Sequence, residues 1–200
     1  MKLADRLREA LELGRGRSPV LLGGDFSDPF LAEEQAVTPA AVLVAIVDRP
    51  EPGVILTVRN DLMRKHAGQV AFPGGRIDPE DDGPVAAALR EAEEEIALPR
   101  GQVEVVGTAD RYRTVTGYDV TPVLGVVPHD LELKPHPGEV AAIFEVPLHH
   151  LLDPRHQLVR TVEWRGRERT YYEIDWAGHR IWGATAAMIV NLSRRLELVA

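Results

Sequence analysis

Apolar residues Leu3, Leu7, Ala10, Leu11 and Leu13 recur at near-helical spacing and predict a helix over residues 2–13, ended by Gly14–Arg17. Residues 19–37 contain Gly, Asp and Pro without periodicity and read as an irregular arm. Two Val/Ile-containing runs, 39–48 and 53–59, flank Arg49-Pro50-Glu51-Pro52 and predict a hairpin. A short strand at 69–72 runs into the Gly74-Gly75 turn. Further strands are expected near 103–113, 118–127 and 140–146, then a helical turn at 147–152. A second hairpin is expected at 158–164 and 169–176, turning at 165–167. The last element is a helix over 183–198, with Ala186, Ile189, Val190, Leu192 and Leu196 on its apolar stripe and Asn191 and Arg195 on the solvated side. This order suits a mixed sheet between helices, class α/β.

One helix breaks the amphipathic pattern. Asp81, Asp82 and Gly83 offer caps, Pro84 fits a first helical position, and Ala86–Leu89 favour helix. Glu91, Glu94 and Glu95 follow. At about 100° per residue, Glu94 lies roughly −60° and Glu95 roughly +40° from Glu91, so the three share a face. A Glu-rich run is ordinarily a solvated face. The Gly-Gly turn, the cap and the Arg-Glu-x-x-Glu-Glu spacing together favour a functional cluster. Hard oxygen donors gathered this way suit Mg²⁺ or Mn²⁺, and Arg90 is near enough to hold a carboxylate.

The segment Gly75 to Leu98 resembles the Nudix box, G-x5-E-x7-R-E-U-x-E-E-x-G-U. Arg90-Glu91 and Glu94-Glu95 supply its core. Gly75 to Arg90 is one residue longer than the common spacing, Asp81 or Asp82 stands for the early Glu, Ala92 for the first aliphatic residue, and Ala97 for the late Gly. Upstream, Ile55-Leu56-Thr57-Val58-Arg59 through Arg64, Gly68 and Phe72-Pro73-Gly74-Gly75 is similar to the motif of Nudix coenzyme A diphosphatases, L-L-T-x-R-[S/A]-x3-R-x3-G-x3-F-P-G-G, with Asn60 departing from Ser/Ala. The likeness spans about residues 40–190. It implies an α/β/α sandwich with the box as a loop–helix–loop, in one domain over 1–200: helix and arm 1–38, core 39–183, C-terminal helix 184–200.

The same resemblance implies Glu91 and Glu95 as metal ligands, the Gly75 carbonyl beside them, and Glu94 as a third ligand or a base. Glu139, in the loop before strand 140–146, reads either as a second base or as a solvated carboxylate. The net charge of −8 argues against a nucleic-acid binder. It also opposes a polyphosphate substrate, so a local positive field is required. Arg59, Arg64, Lys65 and His66 are the candidates for it, against a reading as edge-strand decoration. The chain has no cysteine, no apolar run near membrane-spanning length, and an N-terminus too charged for a signal peptide's apolar core. A cytoplasmic protein is expected. His149-His150 point about 100° apart on a helix and read as solvated or capping. Tyr112, Tyr118, Trp176 and Trp182 read as packing residues before adenine platforms.

The expected function is hydrolysis of the diphosphate of coenzyme A or a derivative. Two other readings stand beside it: hydrolysis of another nucleoside diphosphate derivative, such as ADP-ribose or a dinucleotide, and a non-catalytic nucleotide sensor. The intact Glu91/Glu94/Glu95 set argues against the sensor.

Overall fold

The hairpin at 39–59 is the spine of the molecule. In the computed structural model, which describes residues 1–18, 20–22, 37–60, 68–164 and 167–196, strand β1 (Thr38–Val47) turns antiparallel into β2 (Gly53–Arg59), with Ile46 opposite Val54. Most of the arm expected at 19–37, together with Arg64, Lys65 and His66, lies outside the described residues. Strand β3 (Val70–Ala71) pairs with β2. The Gly-Gly pair is not a turn. Gly74–Arg76 form β4, antiparallel to the first half of β1, with Gly75 opposite Ala41.

The other edge of β1 pairs in parallel over its whole length with β7 (Tyr118–Val127). The run expected as one strand at 103–113 is two, β5 (Glu104–Thr108) and β6 (Tyr112–Arg113), both on β7. The gap faces Thr121-Pro122, where proline has no N–H for the ladder. Strand β8 (Val140–Pro147) pairs with the far side of β2 and completes a mixed sheet of eight strands.

Helices α1 (Leu3–Arg15), α3 (Leu148–Leu152) and α4 (Ala184–Leu196) pack on one face, and α2 (Gly83–Ile96) on the other. The alternation of β1 makes both cores. Ala40, Val44 and Ile46 enter the α1/α4 cluster, while Ala41, Leu43, Ala45 and Val47 meet Ala88, Ala92 and Ile96 of α2. A separate sheet of β9 (Leu158–Trp164), β10 (Arg167–Trp176) and β11 (His179–Trp182) flanks α4. Strand β11 was not expected. Its turn, Ala177-Gly178, takes two positive φ angles (50° and 82°), and alanine hides the usual Asn-Gly signal.

Helix α4 corrects the expected solvated side. Asn191 is buried, and its amide group accepts from Leu22 N (2.7 Å) and donates to Leu22 O (2.9 Å). Arg195 is held by both oxygens of Asp110 (2.7 and 2.9 Å) and donates to Gly14 O. Helix α4 is thus packed nearly all round, and its polar residues fasten neighbouring chain rather than face water.

The end of α2 explains the departure at Ala97. Ala97 is left-handed (φ 55°, ψ 32°), and Ala97 N donates to Glu93 O, the five-to-one bond of an αL cap, while Leu98 N donates to Ala92 O. A Cβ is disfavoured there by roughly 1 kcal/mol. Ala97→Gly is expected to stabilise the fold by about 0.5–1 kcal/mol without altering activity. Thermal melts at constant pH check this, and a lower Tm would sink it.

Candidate active site

The box helix begins one residue before Pro84. Gly83 is the first helical residue, and Asp82 precedes it without a side-chain cap bond. Asp81, offered by the sequence as a cap or as the stand-in for the early Glu, does not cap the helix. Its carboxylate accepts from Asp78 N (2.9 Å) and takes a two-pronged contact from Arg90, Nε to Oδ1 at 3.0 Å and Nη2 to Oδ2 at 2.9 Å. Arg90 also donates to Arg76 O (3.0 Å), to Glu91 Oε1 (2.9 Å) and to Glu94 Oε2 (3.1 Å). One guanidinium therefore ties the loop before the helix to two box carboxylates. Arg90 holds Asp81 below the usual carboxylate range, and the surrounding acids raise Arg90 in turn.

The three box glutamates occupy different environments. Glu94 is exposed (57% of its side chain) and meets Arg90. Glu91 is half-buried against β4. A Cβ added at Gly75 would lie 2.5 Å from the Glu91 Cδ, so glycine is needed for that approach. Glu95 is 4% exposed. It shares the sheet-facing side of α2 with Ala88 and Ala92, whose small side chains let the helix sit close. Its Oε2 accepts from Gly74 N (3.1 Å), and its Oε1 lies 4.0 Å from Arg59 Nη1 at the end of β2.

Burial pushes the Glu95 carboxyl up to about 7. The Gly74 N–H and Arg59 oppose this, and Glu91 and Glu139 add to it. Burial also raises Glu91, against the pull of Arg90, with the charges of Glu94 and Glu139 adding to the rise. Glu139, exposed in the turn before β8, is tied beside the box by its backbone, since Asn60 N donates to Glu139 O (2.8 Å) and His136 N of the same turn donates to Glu95 O (2.8 Å). Its own carboxylate is 3.8 Å from His136 Nδ1. Arg59, Gly75, Glu91, Glu94, Glu95 and Glu139 all gather at this end of the sheet.

Among the described residues, no three acidic, histidine or cysteine groups stand close enough together to hold a metal ion as they are oriented. Glu91 and Glu94 turn toward Arg90, and Glu95 turns toward Gly74. His149 and His150 do not join this site. His150 Nε2 donates to Asp175 O (2.9 Å), and its ring stacks on His156. Tyr112 is buried in the core, as expected. Trp182 has Arg180 over its ring at 4.9 Å. The part of the site that sequence reasoning left open was Asp81. The offset of the motif's early acid already pointed there, since Asp81 and Asp82 were its two possible positions.

The box glutamates, of which Glu95 alone is buried, are thus held by one arginine beside a glycine strand. The chain matches the NUDIX domain model over residues 37–166 and belongs to the Nudix family. It is 43% identical over 181 residues to the uncharacterized Nudix hydrolase NudL of Klebsiella pneumoniae, covering 84% of this chain and 94% of that one. To NudL of Escherichia coli K12 it is 42% identical over 180 residues, with the same coverage. Among solved structures it is similar to a Nudix hydrolase of M. smegmatis, RenU (TM-score 0.49, 26% identity, 56% of this chain and 72% of that one). Enzymes of the family generally use divalent ions such as Mg²⁺ or Mn²⁺. Among the described residues, no helix is long and apolar enough to cross a membrane.

The packing of Gly75 on Glu91 makes a test. Gly75→Ala places a Cβ against the end of a movable side chain, so the fold is expected to survive while Glu91 is displaced. Activity is expected to fall roughly 10²-fold, as for a small misplacement of a catalytic group. Full activity in the folded variant would show that the Glu91 position is unimportant.

Proposed function

We propose that the protein hydrolyses the diphosphate of coenzyme A or its derivatives, giving 3′,5′-ADP and 4′-phosphopantetheine. One observation carries this reading. The described residues of the segment 55–75, which resembles the coenzyme A diphosphatase motif, form β2, β3 and β4 or adjoin them, and Arg59 and Gly74 both reach Glu95 of the box. The substrate motif and the hydrolytic box thus share one carboxylate.

The donor set fits a hard divalent cation. Glu95 is buried, Glu91 is pushed up by burial, and Glu139 adds a third negative charge, so the site favours a compensating positive ion. In this reading Glu91, Glu95 and the Gly75 carbonyl hold Mg²⁺ or Mn²⁺, with Glu94 as a third ligand or a base. When bound, the ion supplies charge neutralisation to the diphosphate and makes the attacking water more acidic. Arg59 orients Glu95 and, with Arg64, Lys65 and His66, provides the positive field that a chain of net charge −8 otherwise lacks. Of the two candidate bases, Glu94 and Glu139, Glu139 takes the proton of the attacking water in this reading, and Glu94 is left to the ion. The place of Glu139 in an exposed turn beside the box, on a different element from the ligands, suits that role.

The test is a substrate panel of coenzyme A, its 3′-dephospho form, ADP-ribose and a diadenosine polyphosphate, with products identified by mass spectrometry. Coenzyme A is expected to give the highest kcat/KM. A higher value for ADP-ribose or the dinucleotide would move the assignment to the wider group of nucleoside diphosphate derivatives, and no metal-dependent turnover at all would favour a sensor.

The roles of the two exposed carboxylates separate in a second measurement. Glu139→Gln is expected to lower kcat by roughly 10²–10⁴ with Mn²⁺ affinity little changed. Glu94→Gln is expected to weaken Mn²⁺ binding as well. Full activity in Glu139→Gln would make it a solvated turn residue.

A further inference from the structure

The outer sheet leaves one strand unguarded. Strand β9 has β10 on one side, and among the described residues no strand lies on the other. Of the eight large apolar side chains exposed among the described residues, three lie on this strand: Leu158 (40%), Val159 (57%) and Val162 (46%). Its pairing with β10 runs without a register shift from Leu158–Glu173 to Trp164–Arg167. It carries no proline, lysine or bulge, and its two charged residues, Arg160 and Glu163, are of opposite sign.

The register fixes which backbone groups point outward. Trp164 and Arg167 close the ladder with two residues between them, so theirs is a hydrogen-bonded pair. Counting back by twos, residues 162, 160 and 158 also bond to β10. Val159, Thr161 and Glu163 therefore turn their N–H and C=O groups away from it.

These three residues are symmetric about Thr161. We infer that β9 pairs antiparallel with β9 of a second copy, about a twofold axis at Thr161, joining the two outer sheets into one. Each outward residue then exchanges two hydrogen bonds with its facing residue: Thr161 with Thr161, and Val159 with Glu163 on both sides. The side chains agree with this register. Val159 faces Glu163 and Arg160 faces Val162, so no like charges stand directly opposed, and Thr–Thr is a favourable cross-strand pair. Axes at Val159 or Glu163, the other outward positions, leave part of the outward set unpaired, and an axis at Glu163 opposes two carboxylates. Arg160 keeps its own partner, Glu173 (Nε to Oε1 at 3.3 Å), so pairing strips no ion pair. A symmetric edge of this kind is complementary to itself, which commits the occupant to a second copy of this chain.

The experiment uses the full chain. Sedimentation equilibrium over a wide concentration range is expected to show a mass approaching twice 22.1 kDa. Thr161→Pro removes the outward N–H at the axis and leaves every bond to β10 in place, since proline is tolerated on an edge. It is expected to weaken dimerisation at least tenfold with hydrolysis unchanged. Thr161→Cys gives an independent reading that does not depend on how the proline variant folds. The chain has no cysteine, and facing residues of a hydrogen-bonded pair lie about 5.5 Å apart at Cα, within disulfide reach. Mild oxidation is expected to give a covalent dimer far faster for Thr161→Cys than for Leu13→Cys, an exposed site on α1. A monomer at every concentration, a folded Thr161→Pro dimer as tight as wild type, or equal crosslinking of the two cysteine variants overturns the proposal.

Discussion

Glu95→Gln is expected to abolish turnover by orders of magnitude and, in the same protein freed of metal, to raise the melting temperature at pH 8. The two effects have one cause. Glu95 is buried under α2, and burial lifts its carboxyl from an ordinary value of 4.5 to about 7. Between those values the folded chain binds more protons than the unfolded chain. Metal-free stability is therefore greatest below the unfolded value and falls as pH rises through the window, by roughly 3 kcal/mol in all at about 1.4 kcal/mol per pH unit. Gln keeps the shape and still accepts from Gly74 N, but it carries no charge to bury. The variant should show a shallower stability profile from pH 5 to 8 than wild type, with only the slope from the raised Glu91 remaining. Added Mg²⁺ should stabilise wild type at pH 8 more than the variant, because the ion binds the ionised carboxylate. Melts in chelator and in Mg²⁺, beside steady-state rates, check all three expectations. A folded variant with wild-type kcat removes Glu95 from the metal site, and a wild-type profile with no slope removes the burial argument.

The opposite signs of those effects explain why the site was only partly legible in the chain. Three glutamates at i, i+3 and i+4 specify a shared helix face, and periodicity shows that much. It cannot show depth. Glu95 is buried because Ala88 and Ala92 let α2 approach the sheet, and because β4 presents Gly74 N to it. Both facts need the pairing of β4 on β1, and in sequence the Gly-Gly pair reads as a turn. The strands of the central hairpin were legible because Val and Ile runs flanked an Arg-Pro-Glu-Pro connection. Asn191 and Arg195 were misplaced for the complementary reason. A polar residue on a helix reads as solvated unless its partner is known, and those partners, Leu22 and Asp110, are 169 and 85 residues away. Likewise β11 was missed because the positive φ of its turn falls on Ala177, a residue type that does not advertise it.

Arg90→Lys should be the most damaging conservative change outside the proposed metal ligands. Arginine reaches five acceptors here because its donors form a planar fork. One edge meets Asp81 and Arg76 O, and the other nitrogen meets Glu91 and Glu94. Lysine keeps the charge but gathers its three donors at one point, so it can serve the Asp81 side or the Glu91 side and not both. If it turns to Asp81, Glu91 loses the bond that orients it, and kcat/KM is expected to fall roughly 10²-fold. If it turns to Glu91, the loop at Asp78–Asp81 loosens from the helix, and the melting temperature falls instead. The pH dependence tells these outcomes apart. Asp81 is held below the usual carboxylate range chiefly by the Arg90 hydrogen bonds, so in wild type it contributes stability above its unfolded value that is lost as pH falls through its lower folded value. A lysine that abandons Asp81 should erase that acid loss, whereas one that stays should retain it and show the larger defect in turnover. Melts from pH 2 to 6 alongside kcat/KM at neutral pH distinguish the two. A variant matching wild type in both would mean that charge alone, rather than the fork, organises the box.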